Sequence, residues 1–317
     1  METKTALLVV YNHRYDKNIE RIEALYDGKF SHVYHLMPFY DGTVPNVIPV
    51  YASSFQFQSY ISQAYTHLKN QGFTHYFIVS DDMLLNPIIN EQNLWDTLQL
   101  DKDSCMLPAI VELQQCTNKW ERVEDAVAYR MTVLGVEVSS ILPTYEDACQ
   151  RFRNHGISTE ALTPDVYQNV GKYRKRRKFL GIKLWRKNKV PAQLQLDYPL
   201  CAGYSDIFLV TADCMQNFCT YCGAFAAQNL FVEVAIPTAM VLAADKLTYL
   251  DTVMGASHLN QLKLKGGDMW PERNMWFIDD NTLQNTITSS NYSLQTLIEN
   301  FPKDRLFLHP IKLSQYK

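Results

Sequence analysis

From residue 5 to residue 82 the chain alternates short apolar runs with stretches of helical spacing, and this alternation restricts it to an α/β architecture. Leu7 to Tyr11 reads as a buried strand, and Asn18 to Tyr26 as a helix with Ile19, Ile22 and Leu25 on one face. His32 to Met37 and Val47 to Tyr51 read as two further strands. Gln56 to Asn70 reads as a helix carrying Phe57, Tyr60, Ile61, Ala64 and Leu68 on one side, stopped by Gln71-Gly72. His75 to Val79 is a fourth strand that runs straight into Ser80-Asp81-Asp82. Strand and helix in this rhythm predict a mostly parallel, doubly wound sheet, with ligands beyond the carboxyl ends of its strands. Three polar groups fall at such ends: Tyr11-Asn12, Tyr40-Asp41 and Asp81-Asp82.

The pattern loosens after about residue 105. Residues 113 to 199 hold helical pieces, a basic run and breaks at Pro191 and Pro199. Order returns with a strand at Asp206 to Val210 and helices at Cys214 to Tyr221 and Leu230 to Ala243; residues 255 to 277 read as loop. With 47% hydrophobic and 20% charged residues, the 317-residue chain has ample material for one large α/β unit. Its seven cysteines, with no secretory leader pattern before the first strand, read as reduced thiols, and Cys219 and Cys222 as a packed pair. No run of about 18 uncharged apolar residues is present, so no membrane-spanning helix is expected.

Net charge is −3, unevenly spread. Ten of the 30 basic residues lie between Lys172 and Lys189 without one acid, leaving 20 bases against 33 acids elsewhere. The run mixes cations with Phe179, Leu184 and Trp185, a composition suited to an anionic membrane surface and equally to a solvated loop. The acidic remainder argues against a nucleic-acid partner.

The pair Asp81-Asp82 is the sharpest chemical feature. Adjacent carboxylates repel unless a cation, an arginine or water offsets them. A divalent metal with hard oxygen ligands does this, and a solvated turn or helix cap accounts for them as well. Glu233, in the otherwise apolar run Asn229 to Thr238, is a carboxylate whose desolvation would raise its pKa toward proton-transfer chemistry. An ion-paired core glutamate is the alternative.

Tyr76 to Pro87, with Ser80-Asp81-Asp82 at the strand end, resembles the Asp-x-Asp segment of GT-A glycosyltransferases, with Ser80 standing where the first Asp of that signature usually stands. The resemblance covers residues 4 to 90, 200 to 245 and the tail. It implies a single GT-A catalytic domain over 1–317: a Rossmann-like nucleotide-sugar-binding half with a mostly parallel sheet (1–105), an insertion (106–199) holding the basic stretch 172–189, and an acceptor-binding, catalytic half with the tail (200–317). It implies transfer of a sugar, with inversion, from a nucleoside-diphosphate sugar of UDP-linked type to a hydroxyl of a glycan or lipid-linked acceptor. By this likeness Asp82 and His309 ligate Mn²⁺ or Mg²⁺. Tyr11, Asn12, His13, Asp41, Asp81 and Lys312 hold the nucleotide sugar, with Gln58 and Gln63 adding contacts. Gly203 and Tyr204 line the acceptor pocket, Glu233 is the general base and Asp206 its substitute. A cytoplasmic enzyme of polysaccharide assembly, touching the inner face of the membrane through 172–189, is the implied setting. Three rivals stand beside it: a catalytically degenerate GT-A scaffold that binds glycan or a partner, a metal-dependent phosphoester hydrolase, and a nucleotidyltransferase.

Overall fold

The structure, a computed structural model, describes residues 4–116, 122–133, 135–168, 174–179, 182–187, 191–250, 280–302 and 305–317. In chain order the first half contains β1 (Thr5–Val10), α1 (Lys17–Tyr26), β2 (Val33–Pro38), β3 (Val47–Val50), α2 (Gln58–Leu68), β4 (His75–Ser80), β5 (Leu84–Leu85), α3 (Leu94–Leu98), β6 (Cys105–Leu107) and β7 (Ile110–Glu112). Then come α4 (Val123–Ala128), β8 (Thr132–Val133), β9 (Val136–Glu137), α5 (Tyr145–Asn154), α6 (Pro164–Tyr167), β10 (Arg174–Phe179) and β11 (Ile182–Lys187). The last third holds β12 (Cys201–Gly203), β13 (Ile207–Thr211), α7 (Ala212–Ala227), α8 (Val232–Ala243), β14 (Leu247–Tyr249), the helices Asp280–Ser289 and Leu294–Glu299, and β15 (Phe307–Leu308).

Seven strands form one sheet in the order β14-β6-β13-β4-β1-β2-β3. The pairs β1/β2, β1/β4, β2/β3 and β6/β14 are parallel, while β13 runs antiparallel to both β4 and β6. The fold is thus mixed α/β with a mostly parallel, Rossmann-like central sheet flanked by helices, as the alternation predicts. All six residues of β1 and all six of β4 are buried, as befits central strands covered on both faces. One face packs α2, α7 and α8 through Tyr60, Phe218 and Ile236; the other packs α1, the helix Leu294–Glu299 and the tail through Ile22, Leu297 and Phe307.

The reversed strand β13 has a positional consequence. Its beginning lies beside the end of β4, with Ile207 opposite Val79 and the Ser80 N–H donating to the Asp206 carbonyl at 2.9 Å. Residues at the start of β13 therefore share one sheet edge with those that follow β1 and β4.

The strands β6 and β14, at one side of the sheet, are too short to stand out in the sequence. The expected helical character of 113 to 199 is realised in α4, α5 and α6, but the basic run departs from it: β10 and β11 pair as an antiparallel ribbon, Arg174 opposite Lys187 and Phe179 opposite Ile182. The loop expected at 255 to 277 lies outside the described residues. All seven cysteines are unbridged, and Cys219 and Cys222 pack as buried thiols in α7. Among the described residues no helix is long and apolar enough to cross a membrane.

Candidate functional site

Four chain segments converge on the carboxyl edge of the sheet. The β4 strand ends at Ser80 and delivers Asp81 and Asp82 there. The Asp81 N–H donates to the Val10 carbonyl at 2.8 Å, and its carboxylate accepts from the Asn12 N–H at 3.3 Å. Burial, with the Asp82 charge adding to it, pushes the Asp81 carboxyl up to about 7.

The tail supplies the second segment. β15 pairs antiparallel with β5, Phe307 opposite Leu85 and Leu308 opposite Leu84, and the Ile311 N–H donates to the Asp82 carbonyl at 2.6 Å. Arg21 of α1 donates to the Leu313 carbonyl and fastens the end. This clamp sets His309 Nε2 3.1 Å from Asp82 Oδ1. Burial works against charge on both partners, but their mutual contact prevails: the Asp82 carboxyl is held below its usual range and the His309 imidazole above its own.

The third segment is the entry to β13. Tyr204 is buried, its ring stacked on Phe307 at 9° and its hydroxyl 2.8 Å from His309 Nδ1. The imidazole is therefore held at both nitrogens. Asp206 is raised by burial, with Asp82 adding to the shift and His309 opposing it.

The fourth is the start of α8. Glu233 lies in its first turn, where the helix dipole favours a negative charge. Even so, burial and the Asp206 charge raise its carboxyl to about 8, against the lowering influence of Arg122 and His309. Pro237 within the same helix has no N–H to return to the Glu233 carbonyl.

The structure thus brings together Asp81, Asp82, Tyr204, Asp206, Glu233 and His309. Other residues singled out in the sequence sit elsewhere or act otherwise. Tyr11 is fully buried, its hydroxyl 2.8 Å from His35 Nδ1, and is a core residue. Asn12 and His13 are exposed at the edge after β1. Asp41 is exposed and paired with Arg14 at 2.7 Å. Lys312 is exposed one residue beyond the Ile311 anchor. Gln58 is buried and donates to the Leu230 carbonyl at 2.8 Å, and Gln63 accepts from the Tyr51 N–H at 2.9 Å; both hold the scaffold together.

The glycine expected to admit substrate has a different physical reason. A Cβ on Gly203 would lie 2.9 Å from both the Ala109 carbonyl oxygen and Pro237 Cβ, so the space is filled by α8 and the neighbouring backbone. Tyr204, expected to line the acceptor pocket, stacks its ring on Phe307 instead.

Sequence reasoning missed Arg122 and Phe55. The Arg122 guanidinium lies over the Phe55 ring at 5.0 Å and the Phe231 ring at 4.4 Å, and its charge reaches Glu233. Neither belongs to a motif or a periodic stripe, and no local signal marks them.

Asp82 Oδ1 and His309 Nε2 are a hard oxygen and an imidazole nitrogen already within one hydrogen bond of each other. The buried Ser80 hydroxyl beside Asp82 helps to hold its carboxyl down. Such a pair could supply two ligands to a hard divalent cation. Among the described residues no group of three or more His, Cys, Asp or Glu side chains is arranged to hold a metal by itself. A cleft of about 530 Å³ lined by His75, Lys102, Thr211 and Cys214 opens at the opposite edge of the sheet, away from these groups. No protein-family model matches the chain, and no curated protein matches it in sequence.

Proposed function

We propose that the protein is a glycosyltransferase of the GT-A type, moving a sugar from a nucleoside diphosphate to an acceptor hydroxyl. One observation carries this reading: the carboxylates after β4, before β13 and at the start of α8, together with the tail histidine, meet at a single sheet edge although Asp82 and His309 are 227 residues apart in the chain. The strand order supports it, because the reversed β13 brings an acceptor-side segment beside the donor-side strand β4.

In this reading Asp82 and His309 would hold Mn²⁺ or Mg²⁺, which when bound neutralises the charge of the diphosphate leaving group. Asp81, fixed by the Asn12 N–H, faces the donor sugar and ribose. Tyr204 orients His309 from behind. Exposed Lys312, next to the Ile311 anchor, would meet the diphosphate. The acceptor oxygen attacks the anomeric carbon as the bond to the diphosphate oxygen breaks, and that electron pair leaves with the diphosphate. Glu233 takes the acceptor hydroxyl proton. Because its carboxyl is raised to about 8, the base form gains as the solution becomes alkaline. Asp206 faces Glu233 and helps to set that value. A one-step displacement of this kind inverts the anomeric centre.

A second reading, a catalytically degenerate scaffold, draws on two facts: Ser80 in place of the first signature carboxylate, and the two-donor set at Asp82 and His309. Titration of UDP, GDP, CDP and dTDP with and without Mn²⁺ separates the two. The transferase reading expects one nucleotide to bind at least about tenfold more tightly with Mn²⁺, and Asp82→Ala to abolish that gain. Turnover of its sugar conjugate completes the case. Tight nucleotide binding without turnover of any conjugate is the scaffold outcome, and an Mn²⁺ effect untouched in Asp82→Ala removes the cation from this site.

A further inference from the structure

Next to Glu233 the surface carries aromatic groups that the reaction as described does not use. Phe55 is 51% exposed, and its ring lies 5.9 Å from that of Phe231, two residues before Glu233. The Arg122 guanidinium covers both rings, 5.0 and 4.4 Å from their centroids. Farther along the same sheet edge Tyr51 is 64% exposed and packs at 6.0 Å against Phe39, which is 61% exposed and sits at φ 54°, a backbone region that a bulky side chain seldom occupies. Large exposed apolar groups in series mark an interaction surface.

Charge decides what that surface takes. Arg122 already faces Glu233 and Asp125, and the neighbouring cluster adds Asp82 and Asp206. The Arg122 charge is thus already shared among carboxyl groups, which leaves a phosphate or carboxylate on the incoming molecule little to gain there. Aromatic faces bind the C–H faces of neutral pyranose rings, and the edge N–H groups of an arginine whose flat face is taken by two phenyl rings remain suited to donate to ring hydroxyls.

We propose that Phe55, Phe231 and Arg122 form a binding subsite for a neutral pyranose ring of a glycan acceptor, one of whose hydroxyls is thereby directed at Glu233. Tyr51 and Phe39 extend the platform for further sugar units. The assignment of the bound ring as acceptor rests on the transferase reading above; binding of the ring itself does not.

The test uses the full chain and a panel of neutral methyl pyranosides and methyl disaccharides beside the corresponding methyl uronides, read by saturation-transfer NMR and titration. Neutral glycosides are expected to bind, with transfer strongest to one ring face, and Phe55→Ala to weaken them by about tenfold, equivalent to about 1.4 kcal/mol. Arg122→Gln, which keeps a donor but removes the cation, is expected to lose part of that affinity without making the uronides bind better than the neutral forms. The Mn²⁺-assisted nucleotide affinity is expected to be unchanged in Phe55→Ala. Equal binding by wild type and Phe55→Ala, no binding by any neutral glycoside, or a preference for uronides would each overturn the subsite. Glycoside binding that depends on Phe55 in a protein that binds no nucleotide would keep the subsite and remove the transferase reading.

Discussion

Glu233 sits where two opposing influences meet: the amino end of α8 favours its charge, while burial and the adjacent Asp206 oppose it more strongly. A carboxyl raised to about 8 is mostly protonated at neutral pH and becomes an effective base as the pH rises through that value. The rate is therefore expected to climb between about pH 7 and about 9 and then level off. Glu233→Gln should cut turnover by about 10² to 10⁴ while leaving nucleotide affinity intact, as expected for loss of a positioned general base. A near-normal rate in that variant, or a profile flat across this range, would assign the base elsewhere. Gly203 makes a second argument at this scale. A methyl group at this position would lie 2.9 Å from two neighbours, one of them backbone, so Gly203→Ala must push α8 away. The expected cost is about 1–3 kcal/mol in denaturant unfolding; a loss below the error of that measurement would mean that α8 yields freely.

The tail acts as an element rather than as a set of residues. Two strand residues, the Ile311 anchor on Asp82 and the Arg21 contact at Leu313 return it to the sheet edge and carry His309 with it. Phe307 is 1% exposed and stacks on Tyr204, so it supports both the clamp and the tyrosine that orients His309. Phe307→Ala is expected to cost about 3–5 kcal/mol in stability. It should also reduce the Mn²⁺ contribution to nucleotide binding under conditions where the variant remains folded. A destabilised but folded variant with the full Mn²⁺ effect would show that His309 needs no such support. The element scale also shows where the sequence was readable. The alternation through β4 located the first four strands closely, because buried strands and amphipathic helices leave their periods in the chain. The short strands β6 and β14 were not legible: three residues carry no period, and their strand character comes from pairing across the sheet. The ribbon of β10 and β11 was hidden for a related reason, since its run of cations has no apolar alternation to betray it.

Across the whole molecule, buried titratable groups pull stability in two directions. His35 and His75 are both held below the usual histidine range, chiefly by burial. On acidification below about 6.5 the unfolded chain takes up protons that the folded protein refuses, so stability falls. Asp81 at about 7 and Glu233 at about 8 act in the opposite sense. The folded protein keeps protons that the unfolded chain releases from about pH 4 upward, so stability falls as the pH rises toward 8. In chelator-containing buffer the melting temperature is expected to be highest near about pH 5 to 6. Its decline between about pH 7 and 9 should shrink in Glu233→Gln. An unchanged alkaline decline in that variant would show that the Glu233 carboxyl is not the group responsible.

By itself the sequence determined the α/β class, the doubly wound first half and the candidates Asp81, Asp82, Asp206, Glu233 and His309, because burial periods and out-of-place charges are local properties. Tertiary structure alone decided that these residues share one edge, since that depends on the reversal of β13 and the return of the tail, both fixed by long-range backbone pairing. It also turned Tyr11, Gln58 and Gly203 from expected ligand contacts into parts of the scaffold, and set Arg122 and Phe55 beside Glu233. A side chain's neighbours are chosen by packing between elements distant in the chain, and no local pattern records that choice.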